Sequence, residues 1–510
     1  MHRMRLVLSV LFAILFLNVA VAQNVYFGNL HSHTSYSDGS GTPEEAFKHA
    51  RDVAGLDFLA ITEHNHSLAE SGADPDRRDG ILIAKQPELY NGSDAASLIS
   101  AARRFTENGK FVALYGQEYS TISSGNHINV FDVPNVITVP NGQFKALLES
   151  LNSNRDTNGD IPIIQFNHPG LFPKAAIEYG RDKFASTEDW VASLNPHVKL
   201  IELLNGPAMA KNSGNRSSEV QEKDYFQYLN FGFHLAPSTG QDNHYKTWGS
   251  VTDARVAILA DNLTKQDILN ALKNRRAYAT EDKNLRIIFK VNGHLMGSIV
   301  NTLPAVGSEL DIQVSIKDDD EPDAHYRIEV FSDVAGGDPA KTPVNVFEIE
   351  GDTASPVKLE GVRFEKPGQF VLLKITQTSE HGPADRAWTA PVWFEPSSAR
   401  PPAAADPIRI VALLPNPAGR DDEEESVTIR NASSIPVGLA GWTLRDTSGQ
   451  LWTLDRVGTV GAGEERVVKR ARQPMTLNND GDTIELLNPA GRVVQTVTYG
   501  AVSQDQVIRP

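Results

Sequence analysis

The 510-residue chain contains no cysteine. That excludes disulfides, thiolate zinc sites, iron–sulfur clusters and a cysteine nucleophile. Any metal ion must therefore be held by imidazole and carboxylate. Positive charge is also in deficit, with 48 Lys and Arg against 64 Asp and Glu and a formal net charge of −16. That balance argues against a broad basic surface for nucleic acid or anionic lipid. Long apolar runs are scarce as well. The one at Leu6–Leu17 follows Arg3 and Arg5 and precedes Ala20-Val21-Ala22. A basic start, a short apolar core and a small-x-small exit predict a signal peptide over residues 1–22, cleaved near Ala22. The expected mature protein is secreted or periplasmic and has no membrane span. Hydrophobic residues at 40% and charged residues at 22% describe a folded chain rather than a disordered one.

Three folded regions are expected after the signal. Over residues 23–284, short apolar runs alternate with helical patterns, as at Leu56–Ile61, Phe111–Tyr115, Ile161–Phe166, Val198–Leu203 and Val256–Leu259. Such runs between helices predict buried parallel strands and an α/β fold. The first helix is well signalled by Thr42 as cap, Pro43 at its first position and Glu45 to complete a capping box. Ala46, Phe47, Ala50, Val53 and Ala54 fall on one face, and Gly55 ends it. Over residues 285–396 the period changes to two, as in Leu310–Ile316 and Phe370–Ile375, which predicts a small β-sandwich module. Residues 397–407 read as a linker, and residues 408–505 as a further set of short strands with turns. The acidic run Asp421–Glu425 reads as a solvated loop.

Residue types that bind metals recur at the ends of the barrel-region strands. His31 and His33 follow the apolar Val25-Tyr26-Phe27, and residues at i and i+2 of an extended chain point the same way. Asp38 lies in the turn Ser37-Asp38-Gly39. Glu63 and His64, then Glu118, His127, His168, Asp242 and His244, each stand at the edge of an apolar run. In an α/β barrel, the residues beyond the carboxyl ends of the strands build the active site. Imidazole and carboxylate donors without thiolate suit zinc, manganese or iron. Glu63 reads either as a support for a ligand or as an ordinary strand-end carboxylate. Asn65 and His66 belong to a following loop. Arg181, Lys183, Lys246 and Arg255 are candidates for phosphate contact. His49, His197, His234, His294, His325 and His381 have no supporting pattern.

The set His31-Ser32-His33-Thr34, Ser37-Asp38-Gly39, Thr62-Glu63-His64-Asn65, Gly116-Gln117-Glu118, His168-Pro169 and Asp242-Asn243-His244 resembles the PHP family, polymerase and histidinol phosphatase. The resemblance implies a distorted (β/α)7 barrel with two or three divalent ions and metal-dependent phosphoester hydrolysis by activated hydroxide. It implies that His31, His33, Glu118 and Asp242 hold one ion. Glu118 would bridge to a second ion with His127 and His168, and Asp38, His64 and His244 would hold a third. Glu118, Asp242 and His168 would then form the catalytic core. Asp38 stands where some family members have His. The substrate implied is a phosphorylated small molecule or a phosphodiester. Phe27–His33 and Glu63-His64 are also similar to a secreted branch, CehA/McbA-like, that includes carbamate-hydrolysing relatives. The same site could therefore serve carbamate, ester or amide hydrolysis. A third reading is a non-catalytic surface-binding protein. Residues 408–505 resemble a lamin-tail domain, an immunoglobulin-like β module, through Ile410–Pro417, Glu425–Asn431, Leu439–Leu444 and Asn479–Leu486. That likeness implies a core built on Trp442 and, by analogy, attachment to a cell surface or matrix.

Overall fold

The computed structural model describes residues 24–65, 83–120, 127–140, 142–157, 159–170, 184–214, 217–336, 342–378, 384–396, 408–432, 436–488 and 493–509. The expectations for the signal peptide, His66, Arg181, Lys183, His381 and the linker at 397–407 lie outside them. The chain divides into two compact units, one ending at Pro396 and one beginning at Ser397.

The first unit is mixed α/β. Its leading strand β1 (Asn24–Asn29) pairs parallel with β2 (Phe58–His64), and β2 pairs parallel with β3 (Val112–Ser120). β4 (His127–Phe131) is antiparallel to β3 and to β5 (Ile164–Phe166). β6 (Val198–Asn205) returns to the parallel sense beside β5, with the short β7 (Glu219–Val220) on one flank and β8 (Ala236–Gly240) parallel on another. Just past β1 and β8 the chain bonds to itself, His33 N–H to the Asn243 carbonyl at 2.9 Å and Asp242 N–H to the His31 carbonyl at 3.0 Å. The last strand of the series is thus tied back to the first at the carboxyl ends of both.

Two expectations change. The run Val256–Leu259 lies in β9 (Arg255–Ala260), which is antiparallel to β1 rather than parallel. Both senses bury an apolar run equally well, so composition cannot separate them. Residues 285–396 also share the main sheet. β10 (Ala277–Thr280) pairs with β9 on one side and with the strand Asp385–Thr389 on the other, which continues to Gln369–Thr378. A second, four-stranded sheet packs its own apolar face into a core that runs from Val25 to Phe394.

Helix α1 (Pro43–Asp52) has the expected capping box, with Thr42 and Glu45 each accepting from the other's backbone N–H. It buries Ala46, Phe47 and Ala50. Val53 is exposed, because the helix has already ended at Asp52. The helices Thr187–Leu194 and Glu222–Phe231 cover β5 and β6 through a cluster of Phe166, Trp190, Tyr228 and Phe233. Trp190 and Phe233 meet edge to face at 4.8 Å, a geometry worth roughly 0.5–1.5 kcal/mol beyond area burial.

The second unit is all β. A three-stranded sheet (Ile408–Leu414, Ser426–Asn431, Glu465–Lys469) and a four-stranded sheet ending in Val493–Gly500 enclose Trp442 and Trp452. The acidic run is not all solvated loop. Asp421–Glu424 form one helical turn, and Glu425 is buried with its carboxylate 3.2 Å from Arg470. No helix among the described residues is long and apolar enough to cross a membrane.

Candidate metal centre

The register of the sheet assembles the donors. Parallel pairing sets His64 of β2 beside Glu118 of β3, and the antiparallel turn of β4 sets His127 opposite Ser120, two residues from Glu118. His31 and His33 follow β1, His168 follows β5, and Asp242 and His244 follow β8. All nine residues singled out in the sequence lie together. Glu118 and His64 are strand residues rather than residues beyond a strand, because β2 and β3 run two or more residues further than their apolar runs.

Three groups of donor atoms come close enough to hold an ion. One is His31, His33, Glu118 and Asp242. A second is His33, Asp38, His64 and His244, and a third is His64, Glu118 and His127. His33 and His64 thus stand where groups meet. Glu118 is central, with His31 Nε2 at 3.1 Å, His33 Nε2 at 3.1 Å, His64 Nδ1 at 3.0 Å, His127 Nδ1 at 3.0 Å and His168 Nε2 at 3.4 Å. Asp242 Oδ1 lies 3.2 Å from His31 Nε2 and 3.0 Å from His33 Nε2. Asp38 Oδ1 lies 3.2 Å from His244 Nε2 and 3.6 Å from His64 Nε2. The side chains of His31 and His33 are fully buried, whereas that of His168 is 22% exposed, so His31 and His33 form the floor and His168 the rim.

The donor set fits divalent cations. Glu118 Oε2 and Asp38 Oδ1 are buried, and among the described residues neither receives a hydrogen bond despite the imidazole nitrogens around them. The donor atoms crowd within about 3 Å of one another, His33 Nε2 bonding His31 Nε2 at 3.2 Å and Asp242 at 3.0 Å, so they converge on common points.

The electrostatics carry the same strain. Burial disfavours charge on His31, but Glu118, Asp242 and Glu202 outweigh it and raise the imidazole well above its usual range. His33, opposed by burial and helped by Asp242 and Glu118, is raised to about 10. Burial takes His64 well below the usual value. Burial also opposes charge on Glu118, yet His31, His64 and His127 hold its carboxyl well below the usual range. Asp38 and Asp242 are lowered against their burial by neighbouring imidazoles, His64 and His244 for Asp38, His31 and His244 for Asp242. Divalent ions take the place of protons on such ligands when they bind. Asp242 and His168 adopt φ values of 51° and 29°, a range that residues with a side chain seldom adopt.

The surrounding residues fall into place by their contacts. Glu63 is fully buried and accepts from the Thr34 N–H at 3.0 Å and from the hydroxyls of Thr34 and Ser37. It pins the loop that carries His33 and Asp38, and burial raises its carboxyl. The Asn65 amide donates to the Ile137 carbonyl. Arg255 is buried and donates to the Thr252 and Ala254 carbonyls, so it faces backbone rather than a phosphate. Lys246 is exposed and pairs with Glu45 at 3.1 Å. His234 pairs with Glu395, His325 with Glu348 and Glu350, and His49 meets the Ser250 hydroxyl, all away from the cluster. Glu202 was not foreseen, although it bonds His31 directly. Its signal is a lone carboxylate in the apolar run Val198–Leu204.

Among known proteins, two chlamydial proteins called uncharacterized match just under three quarters of the chain. The one from Chlamydia muridarum is 22% identical over 389 residues, and the one from Chlamydia trachomatis 21% over 392, each covering 73% of this chain. The chain spans 58% of the length of both. Among solved structures, a two-domain protein from Bacteroides vulgatus is described as containing a predicted PHP-like metal-dependent phosphoesterase. It is 14% identical, covers 69% of this chain and 90% of its own, and gives a TM-score of 0.36. A candidate metal-dependent phosphoesterase from Bifidobacterium adolescentis is also 14% identical, covers 49% and 96%, and gives 0.24. Similarity at that level fixes neither fold nor activity, so the reading of the centre rests on its own geometry. In the C-terminal stretch, residues 401–501 match the model of the Lamin Tail Domain family.

Proposed function

We propose that the chain is a metal-dependent hydrolase of phosphoric esters, with a PHP-type barrel of (β/α)7 descent over residues 23–284. The observation that carries this reading is the convergence on Glu118. Five imidazoles stand within 3.4 Å of one buried carboxylate, and one of its oxygens receives no hydrogen bond among the described residues. His31, His33, Glu118 and Asp242 would hold one ion. Glu118 would be shared with a second ion held by His127 and His168. Asp38, His64 and His244 would hold a third. Zinc, manganese and iron all suit this donor set.

Bound divalent ions supply Lewis acidity toward phosphoryl oxygens and activate water for attack. The chain's own residues then perform three tasks. Glu118 keeps neighbouring ions close together. The buried floor of His31 and His33 keeps bulk water from beneath the centre. The rim residues His168, Asp242 and Asp38 face the approaching ester. The acidic chain is no obstacle to an anionic substrate, because bound cations set the local charge. The signal-like N-terminus supports secretion, and the lamin tail domain supports attachment outside the cell.

The test is to purify the protein and assay aryl phosphomonoester, aryl phosphodiester and aryl carbamate side by side, with and without chelator. Chelator-sensitive turnover of a phosphoester is expected. Turnover of the carbamate alone would move the chemistry to the carbamate-hydrolysing alternative, and no turnover of any would contradict the hydrolase reading.

A further inference from the structure

Beneath the metal-type donors lies a carboxylate that belongs to none of the three groups. Glu202 of β6 is fully buried. Its Oε1 stands 2.7 Å from His31 Nδ1. Its Oε2 accepts the His168 N–H at 2.8 Å and an Asn205 amide hydrogen at 2.7 Å. The Glu202 carboxylate accepts from His31 Nδ1, which leaves Nε2 as the nitrogen turned toward Glu118 and Asp242. The second contact steadies the backbone of His168, whose φ of 29° is costly for a residue with a side chain.

Gly240 of β8 makes room for this arrangement. A Cβ there would overlap Glu202 Oε1 and lie 2.8 Å from His31 Cβ. Its φ is not in the left-handed region, so space rather than backbone conformation is what this glycine supplies.

We propose that Glu202 is the positioning residue of the centre. It fixes the tautomer and ring of His31 and the backbone of His168, so that imidazoles from two separate strands converge on neighbouring ions. Gly240 is the gap that admits it. The proposal rests on the reading of the centre as a site for divalent ions. Carboxylates that bond the far nitrogen of a metal-binding histidine typically contribute 10- to 100-fold in metal affinity.

The experiment uses the full chain as wild type, Glu202→Gln and Gly240→Ala. Each is stripped of metal, checked by circular dichroism and thermal melting, and titrated with zinc against a competing chelator. Glu202→Gln keeps the volume and loses the charge, whereas Gly240→Ala keeps the charge and displaces the carboxylate. Both are expected to fold, Glu202→Gln melting near the metal-free wild type and Gly240→Ala below it through overpacking, and both to bind zinc about 10- to 100-fold more weakly. Variants that bind zinc as tightly as the wild type would overturn the positioning role while leaving the metal reading intact. Variants that both lose the fold would overturn it too, in favour of a purely structural Glu202. A wild type that binds no zinc would remove the metal reading itself, and the proposal with it.

Discussion

Glu118 and Glu202 are the two carboxylates on which the centre is built, and both are buried. Glu118 meets five imidazoles and Glu202 meets one imidazole and one strained backbone. Replacing Glu118 by Gln removes its negative charge and puts a poorly ligating amide nitrogen in place of one of its two oxygens. Glu118→Gln is expected to lower phosphoesterase turnover by more than about 100-fold, the upper end of what a mere supporting residue contributes. Steady-state rates at saturating metal check this, and near-normal turnover would refute the sharing of Glu118 between ions. The sequence marks Glu118 because it sits where an apolar run meets Gly116-Gln117. It hides Glu202, because a single acid inside an apolar strand looks the same whether it faces a ligand or a salt bridge. Which residues share an ion is equally hidden: the proximity of His33 and His64 to two groups each comes from strand register, which no local pattern encodes.

At the scale of elements, α1 and the β1–β2 pair hold the loop that carries His31, His33 and Asp38. The Thr42–Glu45 capping box fixes where that loop ends. Thr42→Ala is expected to cost about 1 kcal/mol, read as a lower denaturant midpoint at unchanged slope. Gly28 of β1 lies against the ring and carbonyl of Phe58 with no room for a Cβ. Gly28→Ala is expected to destabilise by roughly 1–3 kcal/mol through overpacking, measured in the same denaturant series. The helix cap was legible, because Thr, Pro and Glu occupy fixed places in a short motif. The antiparallel sense of β4 and β9 was not, because apolar content reports burial and not direction. The junction with residues 285–396 was also invisible. It is made by hydrogen bonds between β10 and Asp385–Thr389, more than a hundred residues apart.

For the whole molecule, charge distribution sets how stability follows pH. Near that junction Asp385 is pushed up to about 7, first by burial and then by Asp282 and Glu281, and Asp282 is pushed up to about 6, mainly by burial. A carboxyl whose folded value exceeds its usual 3.8 holds its proton more tightly when folded. Its contribution is thus complete at low pH and is lost as pH rises from about 4 to about 7. Asp385→Asn removes that loss, so its stability relative to wild type should improve between pH 4.5 and pH 7.5. Denaturant midpoints at the two pH values check it, and an equal difference at both would contradict the assignment. Cations act on the same scale. Ligands that bind only the folded state stabilise it, by about 2.7 kcal/mol at one hundred times their dissociation constant. Zinc or manganese should therefore raise the melting temperature of the metal-free protein, and chelator should reverse the rise.

The measurement that bears most directly on the central claim is the metal content of the purified full chain, set beside that of Glu118→Gln. The account predicts two or three equivalents of divalent metal in the wild type and a marked loss in the variant, with the variant still folded. A folded wild type that carries no divalent metal, and takes up none when it is supplied, would contradict it.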